Sequence, residues 1–203
     1  GISNLALGTD NKIYCVTMDQ TYNVTNKMEH TLRVASLTSI TKYPIGKSLG
    51  VYSDLILDSD NNSYFVTQWN SSPNRYTVNK VTSTGTHTDL LSGITVNYIY
   101  ALTLDNSNNL YFSTNYSESG PSYSLRKVAS NSSSSTELAQ NNTNLMFALT
   151  LDTNNDNLYF LSQGTSYILK KMNLATEVAS DVCTFTSLDI PGIDGTGVTI
   201  TLD

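Results

Sequence analysis

The sequence predicts an all-β fold made of four tandem copies of a four-stranded antiparallel unit, with the start of a fifth. Three observations carry this expectation. A short Leu/Ile-x-Leu segment recurs, its second Leu falling at Leu7, Leu57, Leu104, Leu151 and Leu202, a spacing of 47–51 residues. In the four full copies it is followed by a turn rich in Asp, Asn and Ser and then by an aromatic run, the pattern of a β-hairpin. No stretch shows the 3.6-residue periodicity of a helix of useful length. A single four-stranded sheet of this size cannot bury both faces, so the copies are expected to stack face to face as the blades of a β-propeller.

The elements follow in order within each copy. The first strand holds Leu5–Leu7, Leu55–Leu57, Leu102–Leu104 and Leu149–Leu151. Large Leu side chains on one face alternate with Ala6, Ile56, Thr103 and Thr150 on the other, a period of two. The small face at Ala101 and Thr103 suits receipt of the Leu face of the next copy. The second strand carries Tyr14-Cys15, Tyr64-Phe65, Tyr111-Phe112 and Tyr159-Phe160. Phe65, Phe112 and Phe160 are therefore equivalent and are expected to be buried between blades, with Cys15 in the same position of the first copy. The third strand is read at His30–Ala35, Tyr76–Val81, Tyr123–Val128 and Tyr167–Met172. The fourth is read at Thr88–Leu91, Thr136–Ala139 and Thr176–Ala179, and is degenerate in the first copy. These readings place the repeats at about 1–50, 51–97, 98–144 and 145–196, with a partial fifth at 197–203 in a single propeller domain or part of one.

The run Leu104-Asp-Asn-Ser-Asn-Asn-Leu-Tyr-Phe112 and its counterparts resemble the blade signature of NHL-type propellers. The resemblance covers all four repeats and implies architecture more than activity, since one fold hosts many functions. The turn Gly common in such repeats is Asn or Asp here, and Gly8 stands where later copies have Asp.

Composition narrows the functional classes. The net charge is −6, which disfavours nucleic-acid binding because that needs a basic face to displace counterions. No apolar run reaches the ~20 residues needed to span a bilayer, so no membrane insertion is expected. Charged residues are only 14 %, below the ~25 % usual for soluble domains. Polarity comes instead from 22 Asn, 26 Ser and 27 Thr, a surface that suits an extracellular or cell-surface location. Any signal peptide is expected to lie outside this sequence. N-x-[ST] sequons fall at Asn23, Asn61, Asn70, Asn115, Asn131 and Asn141. That number is what the Asn, Ser and Thr content produces by chance, though most sit in predicted loops where a glycan fits.

Each candidate site has a structural counterpart. Asp58-x-Asp60-x-Asn62 and Asp152-x-Asn154-x-Asp156 place oxygens as calcium loops do, but lack the Gly and Glu of a true loop. They recur at one repeat position and are read as structural turns, with no metal or cofactor expected. The third-strand bases Arg33, Lys80, Arg126, Lys127, Lys170 and Lys171 are read as cross-strand partners of Asp89, Glu137 and Glu177. Tyr22, Trp69 and Tyr116 fall in the loops between strands two and three, which would share one rim, and are the candidate ligand-binding aromatics.

His30 and His87 have no catalytic context, and no Ser–His, Cys–His or phosphate-binding motif occurs, so no catalytic residue is assigned. Cys15 and Cys183 would lie on neighbouring blades of a closed four-blade ring. Either a disulfide clasp there, implying an oxidising compartment, or two buried free thiols fits. The closing strand 197–203 lacks partners of its own repeat. It belongs to further blades, is surplus to a four-blade ring, or pairs with another chain by strand addition. The leading expectation is a non-catalytic module mediating protein contacts or assembly. A carbohydrate-binding propeller using rim aromatics is the alternative, and a metal-dependent lactonase or lyase the second.

Overall fold

The computed structural model describes residues 2–19, 28–48, 50–51, 53–71, 74–116, 122–130, 132–141, 143–152, 154, 156–185 and 200. Strands account for the regular structure of these residues. The chain divides into two units, Gly1–Thr95 and Val96–Asp203, each holding two sheets.

In the first unit, β1 (Ile2–Leu7), β2 (Ile13–Asp19), β3 (Met28–Ala35) and β4 (Ile40–Ser48) form one sheet in sequence order. The second sheet has β5 (Gly50–Val51), β6 (Ile56–Leu57), β7 (Ser63–Ser71), β8 (Asn74–Val81) and β9 (His87–Thr95), with β5 and β6 both pairing β7. In the second unit, β10 (Tyr98–Leu104), β11 (Leu110–Tyr116), β12 (Ser122–Val128) and β13 (Ser135–Asn141) form the third sheet. The fourth comprises β14 (Leu145–Leu151), β15 (Asn157–Gln163), β16 (Tyr167–Asn173) and β17 (Val178–Phe185). All pairings are antiparallel meanders, as the repeat predicts.

The sheets repeat in detail. The first strand is interrupted in every copy: by a bulge at Ser3/Leu5, Ile99/Ala101 and Phe147/Thr150, and in the second copy by a break into β5 and β6. A second bulge recurs between the third and fourth strands, at His30/Thr31, Val78/Asn79, Leu125/Arg126 and Leu169/Lys170. Bulges add twist where a strand must bend.

Two readings of the fourth strand need correction. In the first copy it is a continuous nine-residue strand, β4, bulged between Pro44 and Gly46. An outer strand is paired on one side only, so a proline without an N–H is tolerated there. In the last copy Thr176 and Glu177 are not in the strand. Glu177 has φ 56° and its N–H donates to the Asn173 carbonyl at 2.8 Å, so it closes the turn before β17.

Packing follows the alternation. Each sheet has a Leu face and an opposite face marked by the second-strand Tyr. In the first unit, Tyr14, Val16, Leu32 and Val34 of one sheet pack with Leu55, Phe65 and Val81 of the other, and Ala6 and Leu57 join them. In the second unit, Tyr111 and Leu125 pack with Met146, Leu158, Phe160 and Met172. In both, the Leu face of one repeat is received by the Tyr face of the repeat before it. Phe65, Phe112 and Phe160 are 0 %, 0 % and 2 % exposed, as their equivalence requires. Ile200 packs against Phe147, Leu161 and Tyr167 of the fourth sheet. It takes there the seat that Leu55 and Leu149 take in their own clusters.

Candidate functional site

The acidic turns are built as structural clamps. Asp105 Oδ1 accepts the N–H groups of Ser107 and Asn109 at 2.9 and 2.8 Å. Its Oδ2 accepts Asn109 Nδ2 at 2.7 Å and the Tyr111 hydroxyl at 3.1 Å. Asp58 does the same with Asp60, Asn62 and Tyr64. Asn61 and Asn108 take the left-handed φ that such turns need. The turn Asn also reaches the next hairpin: Asn62 Oδ1 accepts Ser83 N–H and Asn109 Oδ1 accepts Ser130 N–H, both at 3.1 Å. In the fourth copy Asp152 holds the N–H groups of Asp156 and Asn157 and the Asn157 amide. Where Gly8 replaces the Asp, Asp10 takes over, accepting the Tyr14 hydroxyl at 3.1 Å and Lys12 Nζ at 2.7 Å. The carboxylate oxygens are thus engaged by the turn's own donors, which is the structural reading.

These clamps perturb the groups they join. Burial, followed by the bond to the Asp10 carboxylate, pushes the Tyr14 phenol up to about 12. Burial raises Tyr64 and Tyr111 further in the same direction, with Asp58 and Asp105 adding to it. The Lys12 hydrogen bond holds Asp10 below the usual carboxylate value, and the Asn157 bond does so for Asp152.

The basic stripe splits into two roles. Lys80, Lys127 and Lys171 lie over the rings of Tyr64, Tyr111 and Tyr159 at 5.2, 5.4 and 5.8 Å, cation–π contacts that residue types alone do not reveal. On the other face Arg126 pairs with Glu137 at 3.3 Å, and Lys170 pairs with Asp181 rather than Glu177. Asp89 meets His87 at 3.3 Å, and His87 Nε2 also bonds Asn79 Oδ1 at 2.9 Å. In the first copy the residue opposite Arg33 is Lys42.

Of the rim aromatics, Tyr22 lies outside the described residues; Trp69 falls within β7 and Tyr116 ends β11, in strands rather than the expected loops because the hairpin strands run on that far, and their side chains are outside the description. The equivalent rim of the fourth copy is described. There Thr143, Asn144, Gly164, Thr165, Ser166 and Ile168 line an open pocket of about 360 Å3, within the range of small-molecule sites. Asn141 Oδ1 shapes one wall by accepting Thr143 N–H at 2.9 Å and Asn144 N–H at 3.1 Å. The Gly164 N–H donates to the Ser166 carbonyl at 3.0 Å and closes the other. The lining is neutral and rich in hydroxyl and amide groups. Sequence reasoning missed it because this copy has no loop aromatic. Its only signal is its place in the repeat.

A smaller cleft of about 70 Å3 in the first unit is lined by Ile45, Gly46, Ser48, Thr67, Thr77, Asn79 and Asp89. Asn79 is buried, and its Nδ2 donates to Thr67 Oγ1 and the Thr77 carbonyl, both at 3.0 Å. This volume suits about two water molecules at ~30 Å3 each.

The cysteines are both free, Cys15 buried on β2 and Cys183 exposed on β17. The two thiols differ in their surroundings, because β17 is an outer strand and bares its side chains. Burial raises the Cys15 thiol above its ordinary value. Among the sequons, Asn61 sits in its turn and accepts Thr9 N–H at 2.9 Å, while Asn141 builds the rim wall. Asn115 buries its amide oxygen within β11. Asn23 and Asn131 lie outside the described residues, as does the side chain of Asn70.

Among the described residues, several exposed apolar side chains lie together on the Leu face of the first sheet. Leu5, Leu7 and Ile13 are 67 %, 73 % and 48 % exposed, and Ile40 continues the patch on β4. The register places Leu5 beside Cys15 and Leu7 beside Ile13, then Ala35 and Ile40. Their counterparts Leu55 and Leu102 are buried.

No family model matches the chain, and no curated protein matches it. Solved structures do. The Niastella koreensis GH74 enzyme is similar with a TM-score of 0.63 and 18 % identity, over 89 % of this chain and 30 % of that one. Virginiamycin B lyase from Staphylococcus aureus has a TM-score of 0.60 and 15 % identity, over 89 % and 55 %. A nidogen/laminin complex structure gives 0.53 and 15 % identity, over 91 % and 80 %. The chain spans about a third to just over half of the first two. With three four-stranded antiparallel sheets, a further sheet whose first strand is broken in two, and these neighbours, the chain is an all-β protein of the β-propeller class.

Proposed function

We propose that the chain is a non-catalytic β-propeller module of NHL-like type that works by contact with protein, outside the cell or at its surface. The observation that carries this reading is the bare Leu face of the first sheet, with Leu5, Leu7, Ile13 and Ile40 side by side. Contiguous exposed apolar residues on a sheet mark interaction sites. The fold itself does not choose, since its neighbours include both an enzyme and a complex. The test is fluorescence of a naphthalene-sulfonate dye on dilute, folded chain. The wild type is expected to bind dye, and Leu5→Asp/Leu7→Asp is expected to lose most of the signal. A folded wild type that binds none at any dilution overturns the contact reading.

A second reading rests on the rim pocket of the fourth copy. Its hydroxyl and amide lining matches the hydrogen-bonding groups of a neutral sugar, and the second and third copies carry Trp69 and Tyr116 at the corresponding repeat positions. Glycan-array binding that falls in both Thr143→Ala and Ser166→Ala supports it. Binding that survives both removes it.

A further inference from the structure

We propose that a row of alternating tyrosine and asparagine on the third sheet carries the rim pocket of the fourth copy on into a groove for a neutral oligosaccharide. This rests on the sugar reading above and turns its ligand from a single sugar into a chain. The row follows from the strand register. Tyr98 stands opposite Asn115, Asn115 opposite Tyr123, and Tyr123 opposite Asn141. Directly opposed residues share a sheet face, so all four lie on one side of the third sheet. Three inter-strand steps of ~4.8 Å make the row about 14 Å long. Its outer end meets the pocket, since Asn141 Oδ1 accepts the N–H groups of Thr143 and Asn144, both of which line it.

The corresponding rows of the second and fourth sheets show what is particular here. An amide–tyrosine pair recurs at the middle, as Gln68–Tyr76 and Gln163–Tyr167. Tyr76 and Tyr167 are buried, whereas Asn115, Tyr123 and Asn141 are only half-buried. The flanking positions are Gly50 and Ile94 on the second sheet, and Leu145 and Phe185 on the fourth. Of the three sheets, the third alone sets a second tyrosine and a second amide there. Tyr98 is 51 % exposed, and its ring is backed at 5.8 Å by Tyr100, which packs against the core cluster around Phe147. The middle of the row holds an unmet acceptor: Asn115 Oδ1 is buried and has no hydrogen-bond partner among the described residues, a demand that a ligand hydroxyl or a water meets. A flat ring takes the apolar face of a sugar, and the amide beside it takes the hydroxyl edge. Rings and amides in alternation therefore suit successive units of a sugar chain. Neither the row nor the pocket lining holds a charged side chain, so the chain it suits is neutral.

The test is dependence on chain length. The full chain is titrated, by ligand-observed NMR, with glucose, galactose and mannose and with their neutral di-, tri- and tetrasaccharides. In at least one series the trisaccharide is expected to bind at least tenfold more tightly than the single sugar. Tyr98→Leu, which keeps apolar bulk on the strand without the flat ring, is expected to remove that gain and leave single-sugar binding unchanged, which also shows that the variant is folded. Tyr98→Phe keeps the ring and is expected to retain the gain. Trisaccharides that bind no better than single sugars overturn the groove, as does a gain that survives Tyr98→Leu. If Thr143→Ala still abolishes single-sugar binding in either case, the sugar reading of the pocket stands without the groove. No sugar bound at any length removes both. Preference for acidic over neutral oligosaccharides, or a proline-rich peptide bound through Tyr98 in place of any sugar, overturns the ligand class.

Discussion

Replacing Asp105 with Ala probes the turn clamp directly. The substitution removes four acceptor contacts, two to backbone N–H groups of the turn and two to the side chains of Asn109 and Tyr111. The Ser107 N–H is exposed and can turn to water, so its loss costs little, while the Asn109 N–H is part-buried. The Asn109 amide and the Tyr111 hydroxyl are part-buried, and Tyr111 belongs to a core cluster. Bonds to a charged group contribute about 1.5–3 kcal/mol each, less when water can replace them. The expected loss is therefore about 2–4 kcal/mol, or roughly 5–15 °C in Tm for a chain of this size. Tyr111→Phe removes one of the two and is expected to cost about half as much. In the double variant the two losses should fall short of adding by about 1 kcal/mol, because they share a bond. Urea unfolding followed by far-ultraviolet circular dichroism measures all three variants. A loss below about 0.5 kcal/mol for Asp105→Ala, or strict additivity with Tyr111→Phe, would refute the clamp as a source of stability.

Three further outcomes follow from the same geometry. Gly8→Asp restores the repeat consensus but is expected to destabilise by about 1–3 kcal/mol, because a Cβ there would lie 2.7 Å from the buried Tyr14 ring and 2.6 Å from Asp10 Oδ1; a gain in denaturant midpoint refutes this. Tyr14 holds its proton to about 12 in the folded chain, above the ordinary ~10, so its stabilising contribution is complete below pH ~10 and is lost as pH rises towards 12. Phenolate absorbance should thus show a late-titrating tyrosine that Tyr14→Phe removes. The depressed carboxyls of Asp10 and Asp152 act in the opposite sense: they stabilise above the unfolded value of ~3.9 and lose this as pH falls through their lower folded values. Melting temperatures of Asp152→Asn should accordingly depend less on pH below 4 than those of wild type.

Much of the fold was legible because the repeat is written in residues that must alternate. Leu102 and Leu104 against Ala101 and Thr103 announced which face is large and which small, and the stacking obeys it. The three Phe positions declared themselves by equivalence alone. The fourth strand was harder. Its outer position leaves it half-solvated, so Pro44, Gly46 and Lys47 are tolerated and the sequence looks degenerate where the strand is continuous. Glu177 misled for a related reason: an acid following the third strand fits a cross-strand pair as well as a turn, and only the left-handed φ decides. The candidate site was less legible still. The exposure of Leu5 cannot be read from its type, because Leu55 and Leu102 are the same residue at the same position and are buried. The rim pocket draws on Thr143 and Ser166, which a chain this rich in Thr and Ser does not distinguish.

The central claim is that the Leu face of one repeat is received by the Tyr face of the repeat before it. A double-mutant cycle across that seam tests it most directly. Leu125→Ala and Phe160→Ala remove partners from one cluster that come from successive sheets. Each alone is expected to cost about 3–5 kcal/mol as a large-to-small core substitution. Packed against a shared cavity, they should couple by about 0.5–3 kcal/mol. Two losses that add within about 0.3 kcal/mol would contradict the stacking, because residues in contact across a seam do not behave independently.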